Sequence, residues 1–129
     1  MSDRMDDLDA VAAIIQLYID GAAQADVGAL KEAFHKSARM FGNERGEHCD
    51  VPISEFFEYV AETPVPGPGF RSRIVSIDVV GDAAVAVLAE DDYQSADYVN
   101  FFSLIKLDGT WKIVVKVFAV TGPTATDEA

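Results

Sequence analysis

Leu107-Asp108-Gly109-Thr110-Trp111-Lys112-Ile113-Val114-Val115-Lys116-Val117-Phe118 is the stretch that decides the fold. Asp-Gly between two apolar, β-branched runs is a strong hairpin signal, because both turn residues must accept positive φ. It predicts strands over Tyr98–Leu107 and Trp111–Val120. Strict alternation puts Trp111, Ile113, Val115 and Val117 on one face of the last strand, and Val114, Lys116, Phe118 and Val120 on the other. In the partner strand, Val99, Phe101, Ser103, Ile105 and Leu107 share one face; Tyr98, Asn100, Phe102, Leu104 and Lys106 share the opposite one. Both faces are mostly apolar, so both need cover.

Working outward, Phe70–Val80 and Ala83–Asp92 read as two more strands around Gly81-Asp82. The segment Thr63-Pro64-Val65-Pro66-Gly67-Pro68-Gly69 separates them from a helical first half. There, Leu8, Val11, Ala12, Ile15, Tyr18, Ile19 and Ala22 recur with helical spacing. Asp26 is placed to cap a short second helix through Val27, Leu30 and Phe34, with His35 at its end. A short strand at Ala38–Phe41 and a polar loop from Gly42 to Asp50 follow, and Ser54 is placed to cap a third helix over Glu55–Glu62. Helices first and strands afterwards give an α+β fold, with three helices on one face of a mostly antiparallel sheet. Three helices cover one face only, which makes a second subunit the simplest cover for the other.

The chain has 129 residues, room for one domain, expected over 1–120 with a flexible tail at 121–129. Ten Lys and Arg stand against 22 Asp and Glu, a net charge of −12. That balance repels phosphate backbones and anionic lipid, so neither nucleic acid nor a membrane surface is an expected partner. The single cysteine, Cys49, cannot form an internal disulfide, and the acidic N-terminus does not read as a signal peptide; the expected address is the cytoplasm. His48-Cys49-Asp50 lacks metal-ligand spacing, and neither a metal nor another cofactor is expected.

The order of these parts resembles the nuclear-transport-factor-2-like (cystatin-like cone) superfamily. Its SnoaL-like members that carry the lumazine-binding label are the nearest match. The resemblance rests on Tyr18-Ile19-Asp20-Gly21, Asp26 with Leu30, Phe34-His35 before Ala38, Ile77-Asp78-Val79 with Gly81-Asp82-Ala83, Asp97-Tyr98, and the decisive hairpin itself. It implies a strongly curved sheet wrapped around the long helix, a cone-shaped internal pocket, and homodimers through the convex sheet face. The dimer patch is expected at Asn100, Phe102, Leu104, Ile113, Val115 and Val117.

Lys116 interrupts an apolar strand, where an unpaired ammonium is costly. Counting back through the turn sets it nearly opposite Ser103, on the face that the resemblance assigns to the cone. It is a candidate to hold an anionic or carbonyl oxygen or to act as a base; a structural ion pair, to a carboxylate such as Asp91 or to one on a partner subunit, is the alternative. Tyr18 matches the tyrosine that donates to an oxyanion in the similar ketosteroid isomerases, with a buried helix tyrosine as the alternative. That family's base and acid positions fall near Gly42 and Ser103, which argues against ketosteroid isomerase activity. His35 is a candidate acid/base by similarity to scytalone dehydratases, or a helix-capping histidine. The expected site is therefore Tyr18, Ser103 and Lys116 among Val85, Val87, Phe101 and Phe118. It would bind a small, flat or aromatic organic ligand. The alternatives are a SnoaL-like enzyme (cyclase, dehydratase or isomerase) acting through Tyr18, His35 or Lys116, and a pocketless dimerisation or assembly module.

Overall fold

The computed structural model describes residues 3–123. Helix α1 spans Arg4–Gln24 and α2 Val27–Ala33; strands β1 (Phe34–Glu44) and β2 (Glu47–Pro52) precede α3 (Ile53–Glu62). Strands β3 (Arg71–Val80), β4 (Ala83–Tyr93), β5 (Ala96–Leu107) and β6 (Thr110–Pro123) complete the chain. They form one six-stranded sheet in the order β2-β1-β6-β5-β4-β3. The pair β1–β6 is parallel and every other pair antiparallel, so the sheet is mixed and open. The expected α+β class and the three helices are therefore present.

Sequence chemistry explains the helix ends. The Asp3 carboxylate accepts from the Asp6 amide, and Asp6 and Asp7 add negative charge to the first turn of α1. Asp26 caps α2 as expected, accepting from Ala29 N–H at 3.2 Å. Between them Gly21 is needed, since a Cβ there would lie 2.9 Å from the Leu30 side chain. Pro52, not Ser54, occupies the N-cap of α3 and makes no side-chain cap. Helix α1 buries Val11, Ile15, Tyr18 and Ala22, steps of four, three and four residues down one stripe. Val11, Ile15 and Tyr18 meet Phe34, Phe56, Phe102 and Ile113 in a single core on the inner face of the sheet. Tyr18 and Phe102 are the tightest aromatic pair, centroids 4.9 Å apart and edge to face.

Three features depart from the sequence reading. First, the polar segment from Gly42 to Asp50 is a hairpin, not a loop: Arg45 and Gly46 turn with φ 53° and 79°, and Glu44 pairs with Glu47. Strand β1 also begins earlier, at Phe34, so His35 lies in it, its Nδ1 accepting from Ser37 N–H at 3.0 Å. Second, β6 runs on to Pro123, beyond the expected boundary at Val120; the rest of the expected tail, from Thr124, lies outside the described residues.

The third departure inverts a face. The ladder pairs Leu104 with Ile113 but Ser103 with Val115, so Val114 is an extra residue in β6. Such a bulge interrupts alternation. Trp111 and Ile113 before it and Lys116 after it are all buried on the inner face. Lys116 pairs with Phe102, not Ser103. Asn100, Phe102, Leu104 and Ile113, expected on the dimer surface, are instead buried beneath the helices. Val85, Val87, Phe101 and Ser103, expected to line the pocket, stand on the outer face.

Candidate functional site

A cavity of about 590 Å³ opens between the inner face of the sheet, α1, α3 and the β1–β2 hairpin. The chain contains four tyrosines, and all of them line it: Tyr18 from α1, Tyr59 from α3, Tyr93 from β4 and Tyr98 from β5. Phe56, Phe118 and Met40 complete the apolar wall. Tyr98 stands edge to face with both Tyr93 and Phe118, at 6.1 and 6.2 Å. The rim comes from the hairpin, chiefly Glu44, Arg45, Glu47 and His48.

Three polar side chains form the deep end. Lys116, Glu90 and Asn100 are 5%, 3% and 1% exposed. They come from β6, β4 and β5, which are neighbours in the sheet, and all three point inward. Asn100 Nδ2 donates to Glu90 Oε1 at 2.5 Å, while Glu90 Oε2 is buried with no hydrogen-bond partner. Lys116 Nζ sits 3.9 Å from the Phe56 ring centroid and 5.6 Å from those of Tyr18 and Phe118. Its polar contact among the described residues is the soft Met40 sulfur at 3.7 Å. Among the described residues no carboxylate oxygen lies within 4 Å of it, so no ion pair forms with Asp91, which is exposed.

The electrostatics follow from burial. Loss of water lowers the Lys116 ammonium from 10.5 to about 8, with Glu90 as the main opposing influence. Burial likewise raises the Glu90 carboxyl, against the pull of Lys116 and the Asn100 hydrogen bond. The Tyr18 hydroxyl is pushed well up, again by burial and then by Glu90. Cys49, on the rim side, has its thiol raised by burial. The arrangement offers a ligand an aromatic slot ending in a cationic or amine donor, an amide and a carboxylate oxygen in need of a proton or a donor.

Of the residues expected here, Tyr18, Lys116 and Phe118 are brought together. Val85, Val87, Phe101 and Ser103 are not, because of the Val114 bulge and the inward parity of β4 and β5. His35 does not line the cavity. Ser103, facing outward, cannot stand for the acid of a ketosteroid isomerase, so that comparison keeps only its Gly42 half. Gly42 is buried against Phe118, whose ring would lie 2.5 Å from a Cβ at that position. Glu90 escaped the sequence reading because Glu90-Asp91-Asp92 looks like a solvated acidic run. Its alternation with Ala84, Ala86 and Leu88, all buried, was the available signal. Among the described residues no group of three or more His, Cys, Asp or Glu side chains converges as metal ligands.

The family profile described as "Putative lumazine-binding" matches residues 6–119. The chain belongs to that family, within the NTF2-like superfamily. It is 27% identical to an NTF2-like protein of unknown function from Shewanella baltica OS155, covering 93% of this chain and 98% of that one with a TM-score of 0.87. A second NTF2-like protein of unknown function, from Methylobacillus flagellatus KT, is 29% identical over 94% and 97% of the chains, TM-score 0.87. Among characterised proteins, the aldolase FrzH of a Cladobotryum species is 26% identical over 114 residues, 85% of this chain and 88% of that protein.

Proposed function

We propose that this protein binds a small, flat organic molecule in the aromatic cavity, with the polar edge of the ligand against Lys116, Glu90 and Asn100. The observation that carries this reading is Lys116: a buried cation with no carboxylate of the described residues within 4 Å, at the end of a space of about 590 Å³. Cavities of this size, mostly aromatic with a few convergent polar groups, suit ring-containing ligands. The size of the space argues against a pocketless assembly module. A second reading, an enzyme on the same cavity, is favoured by the aldolase relative, whose name denotes carbonyl chemistry.

The outer face supports the homodimer, through a row that shares Val117 with the expected patch but is otherwise made of different residues. Phe41, Val117, Phe101 and Val87 pair in a row across β1, β6, β5 and β4. Phe101 is 47% and neighbouring Val85 52% exposed. An apolar band of this kind suits a self-complementary interface. No helix among the described residues is long and apolar enough to cross a membrane, and the unpaired cysteine suits the cytoplasm. A thermal-shift screen of flat aromatic and heteroaromatic carbonyl compounds tests the binding reading. It should yield stabilising compounds whose effect is lost in Lys116→Met. A screen in which every hit acts equally on both proteins would contradict it.

A further inference from the structure

The cavity reading leaves two groups poorly satisfied: the Lys116 nitrogen, whose acceptor among the described residues is the weak Met40 sulfur, and Glu90 Oε2, which has no hydrogen-bond partner. Both are buried, both line the same space, and they sit on strands separated only by β5. A lysine kept in such a place merely to be charged would be expected to hold a carboxylate. Here the carboxylate is present in the cavity but is tied to Asn100 through one oxygen and makes no ion pair with the lysine.

We propose that Lys116 is a nucleophilic amine that forms a reversible imine with an aldehyde or ketone bound in the cavity, with Glu90 Oε2 carrying the protons. This rests on the cavity being a ligand site, and it assigns the ligand class. The neutral Nζ adds to the carbonyl carbon, and the C=O π pair moves to oxygen. Glu90 Oε2 takes one of the two nitrogen protons and passes it to that oxygen, giving the neutral carbinolamine. The second nitrogen proton, relayed through Glu90 in the same way, goes to the hydroxyl, which leaves as water while the nitrogen lone pair makes the C=N bond. Amine plus carbonyl gives imine plus water, with no oxidant or reductant consumed. Once protonated, the imine draws electrons from the neighbouring carbon, so loss of an α-proton to Glu90 gives an enamine, a carbon nucleophile.

The surroundings suit the amine's task. Phe56, Tyr18 and Phe118 surround the nitrogen with ring faces and edges rather than anions. Desolvation in an apolar pocket is a general way of activating a lysine toward carbonyls, and the lowering of Lys116 to about 8 is consistent with it. The remaining lysines have no comparable setting. Lys31 and Lys36 are exposed, Lys112 donates to the Glu32 carbonyl, and Lys106 is paired with Asp7.

The test is reductive trapping. The whole protein is incubated with one equivalent of 2-naphthaldehyde and cyanoborohydride at pH 7.5, and the adduct is located by peptide mass spectrometry. One adduct on Lys116 is expected. Lys116→Arg, which keeps the charge but cannot form the imine under these conditions, and Lys116→Met should both lose it, and Glu90→Gln should slow trapping by about 10²-fold. Labelling spread over Lys31, Lys36 and Lys112, or equal in wild type and Lys116→Arg, would overturn the proposal. A thermal shift with the aldehyde alone separates the two levels of failure. Stabilisation without a Lys116 adduct overturns the imine and leaves the cavity as a binding site. Neither stabilisation nor adduct overturns the imine and counts against the cavity as a carbonyl site.

Discussion

Lys116 and Glu90 each lose stability to burial, and the pH at which that loss is felt follows from the direction of each shift. The unfolded chain keeps its Lys116 proton to about 10.5, whereas the folded one gives it up near 8. Between those values the unfolded state binds more protons, so wild-type stability gains from Lys116 as pH rises through that window. Lys116→Met should therefore be more stable than wild type at pH 7, by about 2 kcal/mol, and the gain should shrink from pH 8 to 10.5. Glu90 runs the other way. Its folded pKa lies above the ordinary 4.5, so its contribution falls as pH rises through that interval. Glu90→Gln should melt higher than wild type at neutral pH and match it below pH 4.5. Denaturant unfolding at three pH values checks both. A Lys116→Met protein less stable than wild type at pH 7 would mean that the ammonium is held by more than aromatic faces. At this scale the sequence was legible where a residue broke a pattern, as Lys116 does between Val115 and Val117. It was illegible where a residue blended into one, as Glu90 does beside Asp91 and Asp92.

Between elements, the close contact of β1 with β6 sets the shape of the cavity wall. Gly42 pairs with Phe118 across the parallel ladder, and the phenyl ring covers the space a Cβ would need. Gly42→Ala should cost about 1–3 kcal/mol and turn the ring into the cavity. The measurement is the melting temperature together with the affinity for any compound found in the screen. Unchanged values of both would show that the ring is not fixed against β1. The hairpin Asp108-Gly109 was legible because both positive φ values fall on residues that favour them. Arg45-Gly46 makes a turn of similar geometry but was hidden, since arginine at φ 53° carries no turn signature. The Val114 bulge was hidden for a different reason. A parity count assumes unbroken alternation, and Val114 and Val115 are as apolar as any strand residue. One uncounted residue moved Lys116 from the partner of Ser103 to the partner of Phe102 and exchanged the faces of β5 and of β6 before the bulge, while Lys116 and Phe118 kept theirs.

For the whole molecule, the fold class was legible because the order of helices and strands, and the apolar content of both hairpin faces, do not depend on register. The need to cover two faces survives the exchange of their members. Helices α1 and α3 cover the inner face, and the row through Phe101 and Val117 is left exposed, the surface proposed above for a second copy. Sedimentation at micromolar concentration should give about twice 13.9 kDa. Phe101→Arg should give a folded monomer. A wild type that stays monomeric as its concentration is raised would remove the dimer and leave the cavity untouched, since no cavity residue lies on that row.

The claim on which the rest depends is that the aromatic cavity, and not the apolar outer face, is where a flat carbonyl compound binds. The most direct measurement is an NMR titration of the labelled protein with 2-naphthaldehyde in the absence of reductant. The account expects saturable shifts centred on Tyr18, Phe56, Tyr98, Lys116 and Phe118, with Val85 and Phe101 unmoved. Shifts centred on Val85, Phe101 and Val117, with the cavity silent, would contradict it.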